Sequence, residues 1–121
     1  MARGAALKDM SYVGKHVLCD IKLNSNPSDS DLINYIEEAI KESNMNVVHS
    51  HIHPFEPQGI TGFWILSESH FSLHTYPESN YLTVCCYTCG NEGDPEAAIE
   101  HLLSKLDVKN HFKKLEMRGI I

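Results

Sequence analysis

The central part of the chain, residues 47 to 88, places the strongest constraint on the fold, because its apolar segments are short and end at turn residues. Proline, glycine and asparagine interrupt it at Pro54, Pro57, Gly59, Pro77 and Asn80. Short segments that are rich in β-branched and aromatic residues and bounded in this way are typical of strands. The predicted strands of this region are 47–55, 60–66, 70–76 and 81–88.

Helical patterns flank this run of strands. Ser28 is followed three residues later by Asp31, as in a capping box with aspartate in place of glutamate, and predicts a first helix over 29–43. Asp94 followed by Pro95 is a typical helix start and predicts a second helix over 95–106. The apolar residues at helical spacing are Leu32, Ile36, Ala39 and Ile40 in the first helix and Ile99, Leu102, Leu103 and Leu106 in the second.

Two further strands, at 15–23 and 111–117, complete the order of elements. This order predicts an α+β fold, a two-layer sandwich in which two helices cover one face of an antiparallel or mixed β-sheet. The leucines of the second helix and Trp64 are expected in the core.

Composition and charge limit the class of protein. The chain has 121 residues, 42% of them hydrophobic and 21% charged, which is typical of a single domain over 1–121. Its formal net charge of -6 argues against a nucleic-acid partner. The longest apolar stretch, 63–66, is too short to cross a membrane and the N-terminal segment lacks a signal-peptide core, so we expect a cytoplasmic protein. A deep pocket is easier to build between two copies of so small a domain, which favours an oligomer.

The cysteines are expected to be free thiols, because three of the four crowd into one predicted strand. Cys85 and Cys86 are interpreted as small buried apolar residues. Cys86 and Cys89 have the spacing of a redox or metal pair, but on a strand their side chains point to opposite faces.

Three histidines, His49, His51 and His53, alternate along one predicted strand. Imidazoles at this spacing could bind zinc or nickel. The interpretation that we favour is that they are histidines at the surface or at the edge of a pocket. No metal site is predicted.

The most informative segments lie around Ser69. They are Glu68-Ser69-His70, His74-Thr75-Tyr76-Pro77-Glu78 and Thr88-Cys89-Gly90, preceded by Gly14-Lys15-His16 and by Phe55-Glu56-Pro57-Gln58-Gly59 with Thr61-Gly62. In this order and spacing, the segments resemble the S-adenosylmethionine decarboxylases of the short prokaryotic type. The resemblance extends over about residues 14 to 119.

The chemistry of such an enzyme explains the serine. Removing CO2 from an α-amino acid leaves a carbanion, which needs an electron sink reached through a Schiff base. Pyridoxal phosphate would need a lysine anchor and a phosphate cradle, and the sequence has no glycine-rich phosphate loop. The resemblance implies the other sink, a pyruvoyl group made from Ser69 after its hydroxyl attacks the carbonyl of Glu68 and β-elimination follows. The implied products are residues 1–68 (the β chain) and 69–121 (the α chain), the second with the pyruvoyl group at its N-terminus.

The resemblance also implies roles for five other side chains. His74 takes part in processing by removing the α-proton of Ser69, and the Thr61 hydroxyl assists it. Cys89 returns a proton to the product carbon after decarboxylation. Phe55 stacks on the adenine and offers its face to the sulfonium, and Glu78 binds the ribose hydroxyls.

Two positions depart from the family pattern. Thr61 stands where the family usually has serine, and its added methyl group and restricted χ1 predict slower cleavage rather than none. Tyr76 stands where tryptophan is commoner and keeps an aromatic ring. His70, next to the cleavage bond, either assists the chemistry or packs.

We therefore expect a pyruvoyl-dependent carboxy-lyase that converts S-adenosyl-L-methionine to S-adenosylmethioninamine, the aminopropyl donor for spermidine biosynthesis, and CO2. Two processed protomers are expected to pair their sheets into a larger sandwich, with both active sites near the interface. Decarboxylation of ornithine or arginine is an alternative, because self-cleavage does not specify the substrate side chain. An unprocessed regulatory or metal-binding relative is a third interpretation, which Thr61 keeps open and which intact Ser69, His74 and Cys89 oppose.

Overall fold

A computed structural model describes residues 13–89 and 93–119. Gly90 of the third motif lies outside these residues. Within them are six strands, two α-helices and a short 3-10 helix. The elements are β1 Gly14–Leu23, α1 Asp29–Glu42, β2 His49–Pro54, β3 Ile60–Leu66, β4 Ser69–Tyr76, the 3-10 helix Pro77–Ser79, β5 Tyr81–Cys89, α2 Pro95–Lys105 and β6 Val108–Arg118.

The six strands form one antiparallel sheet in the order β2-β3-β4-β5-β1-β6. The sequence left an antiparallel and a mixed sheet open, and the antiparallel one is correct. Strands β2 to β5 follow one another as neighbours, and β1 lies between β5 and β6. The last strand begins at Val108 rather than at 111, because β6 pairs with the whole of β1 and Val108 is the partner of Leu23.

One face of the sheet carries the hydrophobic core. Val17, Phe71 and Leu73 are fully buried there, and so is Trp64, whose Nε1 donates a hydrogen bond to Glu37 Oε2 at 3.1 Å. Both helices cover this face, since Leu32 and Ile36 of α1 and Ala98, Ile99 and Leu102 of α2 belong to the same core cluster. The predicted two-layer α+β fold is confirmed.

Both predicted helix starts are also confirmed. Ser28 Oγ accepts a hydrogen bond from the backbone N–H of Asp31 at 3.0 Å, and Asp94 Oδ1 accepts one from the N–H of Ala97 at 3.0 Å. Each cap satisfies an N–H group that the first turn of a helix leaves without an intrahelical partner. Neither helix of the described residues is long and apolar enough to cross a membrane.

No helix of the described residues covers the opposite face, which we call the open face. It carries the alternate residues of each strand, because successive side chains of a strand point to opposite sides. Four of its apolar side chains are well exposed: Leu18 by 40%, Phe63 by 43%, Ile65 by 40% and Phe112 by 66%. The open face therefore exposes large apolar side chains among its polar ones.

The cysteines follow the same alternation. None of the four forms a disulfide, as predicted. Cys86 is fully buried among the core residues, but the prediction for Cys85 was wrong, because Cys85 lies half-buried on the open face. The two residues are adjacent in β5, so only one of them can point into the core.

Candidate active site

The predicted cleavage bond lies at the tight turn between β3 and β4. Leu66 and Ser69 are the last paired residues of the two strands, so Ser67 and Glu68 alone form the hairpin loop. Ser67 has a φ of 58°, in the left-handed region that costs a residue with a side chain on the order of 1 kcal/mol. The bond between Glu68 and Ser69 therefore joins a constrained turn to the first residue of β4.

The thiol of Cys89 contacts this bond from the end of β5. Its Sγ donates a hydrogen bond to the backbone carbonyl oxygen of Glu68 at 2.9 Å, and it lies 3.7 Å from Glu68 Oε2. Cys89 is 8% exposed, so the contact is shielded from bulk water. A donor at this position polarises the carbonyl that the Ser69 hydroxyl is predicted to attack.

A cavity of about 370 Å³ opens beside this carbonyl, and we call it the serine pocket. The predicted residues Glu68, Ser69 and Cys89 line it, together with residues that include Asn44 and Gly93. No motif in the sequence predicted Asn44 at this site. Its φ of 64° ends α1 in the left-handed conformation that asparagine tolerates after a helix, which is the signal available in the sequence.

The other predicted side chains meet in a second cavity, the histidine pocket, of about 290 Å³. Phe55, Thr61, His74 and Glu78 all line it. Thr61 and His74 are cross-strand partners in β3 and β4, and Thr61 Oγ1 lies 3.0 Å from His74 Nδ1. The predicted cooperation of the threonine hydroxyl with the imidazole therefore has the geometry of a hydrogen bond.

The turn before β3 places the Phe55 ring at the wall of this pocket. The backbone N–H of Phe55 donates to the carbonyl of Gly59 at 2.9 Å, and Gly59 has a φ of 99° that favours glycine. The Phe55 ring is 50% exposed and packs edge-on against His53, with ring centroids 4.8 Å apart. It is therefore available to a planar ligand.

The two pockets lie at opposite ends of the same strand. Ser69 is the first residue of β4 and His74 is five residues further on. A strand rises about 3.3 Å per residue, so the two residues are separated by about 17 Å. Within one chain, His74 is too far away to take a proton from Ser69.

His70, whose role the sequence left open, packs on the open face between the two pockets. Its ring stacks on Phe63 with centroids 5.3 Å apart and on Tyr87 with centroids 5.7 Å apart. Burial lowers the pKa of His70 below its ordinary value. The histidines of β2, in contrast, are exposed near the edge of the sheet.

Comparison with known proteins places this arrangement in a class of enzymes that are made as proenzymes. A protein of Aquifex aeolicus named S-adenosylmethionine decarboxylase proenzyme is 35% identical over 112 residues, covering 90% of this chain and 83% of that protein. Proteins with the same name are 40% identical in Prochlorococcus marinus, covering 84% of both chains, and 38% identical in Pyrococcus furiosus, covering 90% of this chain and 77% of that one.

The fold agrees with these relatives. The crystal structure of the adenosylmethionine decarboxylase from Aquifex aeolicus matches with a TM-score of 0.83 at 31% identity, over 93% of this chain and 95% of that chain. The family model of S-adenosylmethionine decarboxylase matches residues 15–119. The chain belongs to the S-adenosylmethionine decarboxylase family.

Proposed function

We propose that the protein cleaves itself between Glu68 and Ser69 and then decarboxylates S-adenosylmethionine with a pyruvoyl group formed from Ser69. The products of the cleavage are residues 1–68 and 69–121, and the product of the reaction is the aminopropyl donor of spermidine synthesis. The observation that carries the proposal is the Cys89 thiol, which donates to the Glu68 carbonyl oxygen at 2.9 Å beside Ser69.

The proposed cleavage has three steps: an acyl shift, a β-elimination and a hydrolysis. The Ser69 oxygen adds to the carbonyl carbon of Glu68, the C–N bond breaks, and the nitrogen of residue 69 takes up the hydroxyl proton, which leaves an ester. Removal of the α-proton of residue 69 expels the Glu68 carboxylate by β-elimination and leaves dehydroalanine. Its imine tautomer takes up water and releases ammonia, which gives the pyruvoyl group. In the first step, the Cys89 thiol stabilises the negative charge that develops on the carbonyl oxygen.

The base for the elimination comes from a second copy of the chain in this proposal. His74 lies about 17 Å from Ser69 along β4, a distance that no side-chain rotation spans. In a two-fold dimer, the histidine pocket of one chain can meet the serine pocket of the other, and the symmetry makes two identical composite sites. The apolar side chains of the open face supply a surface that such pairing would bury.

The histidine pocket would then hold the nucleoside of the substrate. The half-exposed Phe55 ring offers a face for the adenine and for the positive sulfonium. Glu78 lines the same pocket and can accept hydrogen bonds from both ribose hydroxyls. This placement puts the amino-acid end of the substrate towards residue 69 of the other chain.

The pyruvoyl group supplies a carbonyl that condenses with the substrate amine and accepts the electrons left by CO2. The serine pocket suits this group, since Cys89 Sγ lies 2.9 Å from the Glu68 carbonyl oxygen, directly beside residue 69 from which the group would form. Its thiol can return a proton to the product carbon. The relatives named above favour this substrate over ornithine or arginine. The cytoplasmic location stays a prediction.

The proposal is tested by the intact mass of the purified protein, before and after borohydride reduction with S-adenosylmethionine present. Two fragments that break between residues 68 and 69, with a reduced nucleoside adduct on the second, are expected. Ser69→Ala is the control and should give one uncut chain. A single uncut wild-type mass would refute the processing, and fragments without the adduct would refute the substrate.

A further inference from the structure

The serine pocket has two walls that differ in their chemistry. The hairpin loop and the ends of β4 and β5 form one wall, with Glu68, Ser69 and Cys89. The segment between α1 and β2 forms the other, which we call the asparagine wall, with Asn44 and Asn46. Among residues 13–89 and 93–119, no lysine, arginine or histidine lines this pocket. Its hydrogen-bond donors are therefore neutral groups.

The residue between the two asparagines holds their wall in place. Met45 is buried, whereas Asn44 and Asn46 are exposed on either side of it. The backbone N–H of Met45 donates to the carbonyl of Ile40 at 3.1 Å. Gly93 lies so close to Met45 that a Cβ atom built on this glycine would be 2.8 Å from the methionine Cγ. The buried methionine therefore fixes the backbone that carries the two amides.

We propose that the side-chain amides of Asn44 and Asn46 bind the carboxylate of the substrate, an inference that rests on the proposed function. A substrate whose amine is bonded to residue 69 has its carboxylate only two bonds from that nitrogen, so the carboxylate has to lie in the serine pocket. Glu68 lines the hairpin side, where its own carboxylate repels a second one. The asparagine wall supplies the N–H donors that a carboxylate needs.

Neutral donors suit a carboxylate that leaves as CO2. The bond between Cα and the carboxylate breaks, its electron pair moves towards residue 69, and the negative charge leaves the carboxylate. A lysine or arginine in this place would stabilise the charged substrate more than the transition state and would therefore lower kcat. Amides fix the orientation of the group with weaker hydrogen bonds, which hold the ground state less tightly.

The first test compares a ligand that has the carboxylate with one that lacks it. Asn46→Asp keeps the shape of the side chain but replaces its donor by a negative charge, so kcat/KM for S-adenosylmethionine should fall at least about tenfold. The decarboxylated product lacks the carboxylate and carries one more net positive charge than the substrate. Its dissociation constant, measured by calorimetry, should stay the same or fall in Asn46→Asp.

Two further variants separate the donors from their charge. Asn44→Gly tolerates the left-handed backbone of this residue and removes its amide, so kcat/KM should fall about tenfold while the dissociation constant of the product stays unchanged. Asn46→Lys should give the opposite division, with a KM no higher than that of the wild type and a lower kcat. Asn34→Ala is the matched control, since Asn34 is exposed on α1 and does not line the pocket.

The outcomes separate this inference from the proposed function. An uncut wild type, or a cut wild type that does not turn over S-adenosylmethionine, would refute the proposed function and this inference with it. With an active wild type, unchanged kcat/KM in both Asn46→Asp and Asn44→Gly would overturn the inference alone. So would an equal loss of product binding, which a merely structural role predicts, or a failure of these variants to be cut, which would assign the asparagines to processing.

Discussion

Cleavage in mixtures of two inactive variants tests whether the two pockets work in one chain or between two. Ser69→Ala cannot be cleaved, and His74→Ala keeps the serine but lacks the base. The structure separates these residues by about 17 Å along a strand, whereas proton transfer needs contact at about 3 Å. If the pockets meet across a dimer, a His74→Ala chain receives the missing imidazole from a Ser69→Ala partner.

The expected yield follows from the symmetry. When the two variants are made together in equal amounts and pair at random, about half of the His74→Ala chains have a Ser69→Ala partner. About half of all His74→Ala chains should therefore be cut, and none of the Ser69→Ala chains should be cut. A C-terminal mass tag on one variant identifies the source of each fragment in an intact-mass spectrum.

Two results would refute this reasoning. Cleavage of His74→Ala on its own, at the wild-type rate, would show that His74 is not the base. A mixture in which neither chain is cut, although the wild type is, would show that the imidazole acts within its own chain. The second result would require β4 to leave the sheet, because an intact strand keeps the two residues apart.

Three further predictions follow from the same geometry. Cys89→Ala should slow cleavage about 10–100-fold because it removes the donor to the attacked carbonyl, a smaller effect than the loss of a stronger N–H donor would have. Cys89→Ser should retain much of the rate. A time course in which both variants are cut at the same rate would contradict this role. Thr61→Val should slow cleavage about tenfold because it removes the hydroxyl at constant shape, whereas Thr61→Ser should match or exceed the wild-type cleavage rate. A serine variant slower than the wild type would contradict the prediction that threonine slows cleavage. Burial holds the pKa values of His16 and His70 below their unfolded values, so their contribution to stability is complete above about pH 6.5 and is lost as the pH falls. The urea midpoint should therefore drop between pH 7 and pH 5. The double variant with His16→Asn and His70→Asn should flatten that drop.

Local patterns in the sequence were enough for the order and type of the secondary-structure elements, and the family resemblance named the candidate residues of the site. Helix caps at Ser28 and Asp94 and the alternation of short apolar segments depend on neighbours a few residues away, so they can be read without the fold. The motifs around Ser69 and His74 likewise named side chains that the structure brings together in two pockets. The start of β6 was missed because pairing with β1, rather than local composition, extends it to Val108.

Only the tertiary structure decided which of these residues touch. The Cys89 thiol reaches the Glu68 carbonyl because β5 runs antiparallel beside β4 and ends at the hairpin loop. The register that turns Cys86 into the core turns Cys85 to the open face, where it meets two histidines from other strands. Sequence determined the chemical groups because each is a property of one residue, whereas distance between strands depends on register and pairing, which arise only when the whole sheet forms.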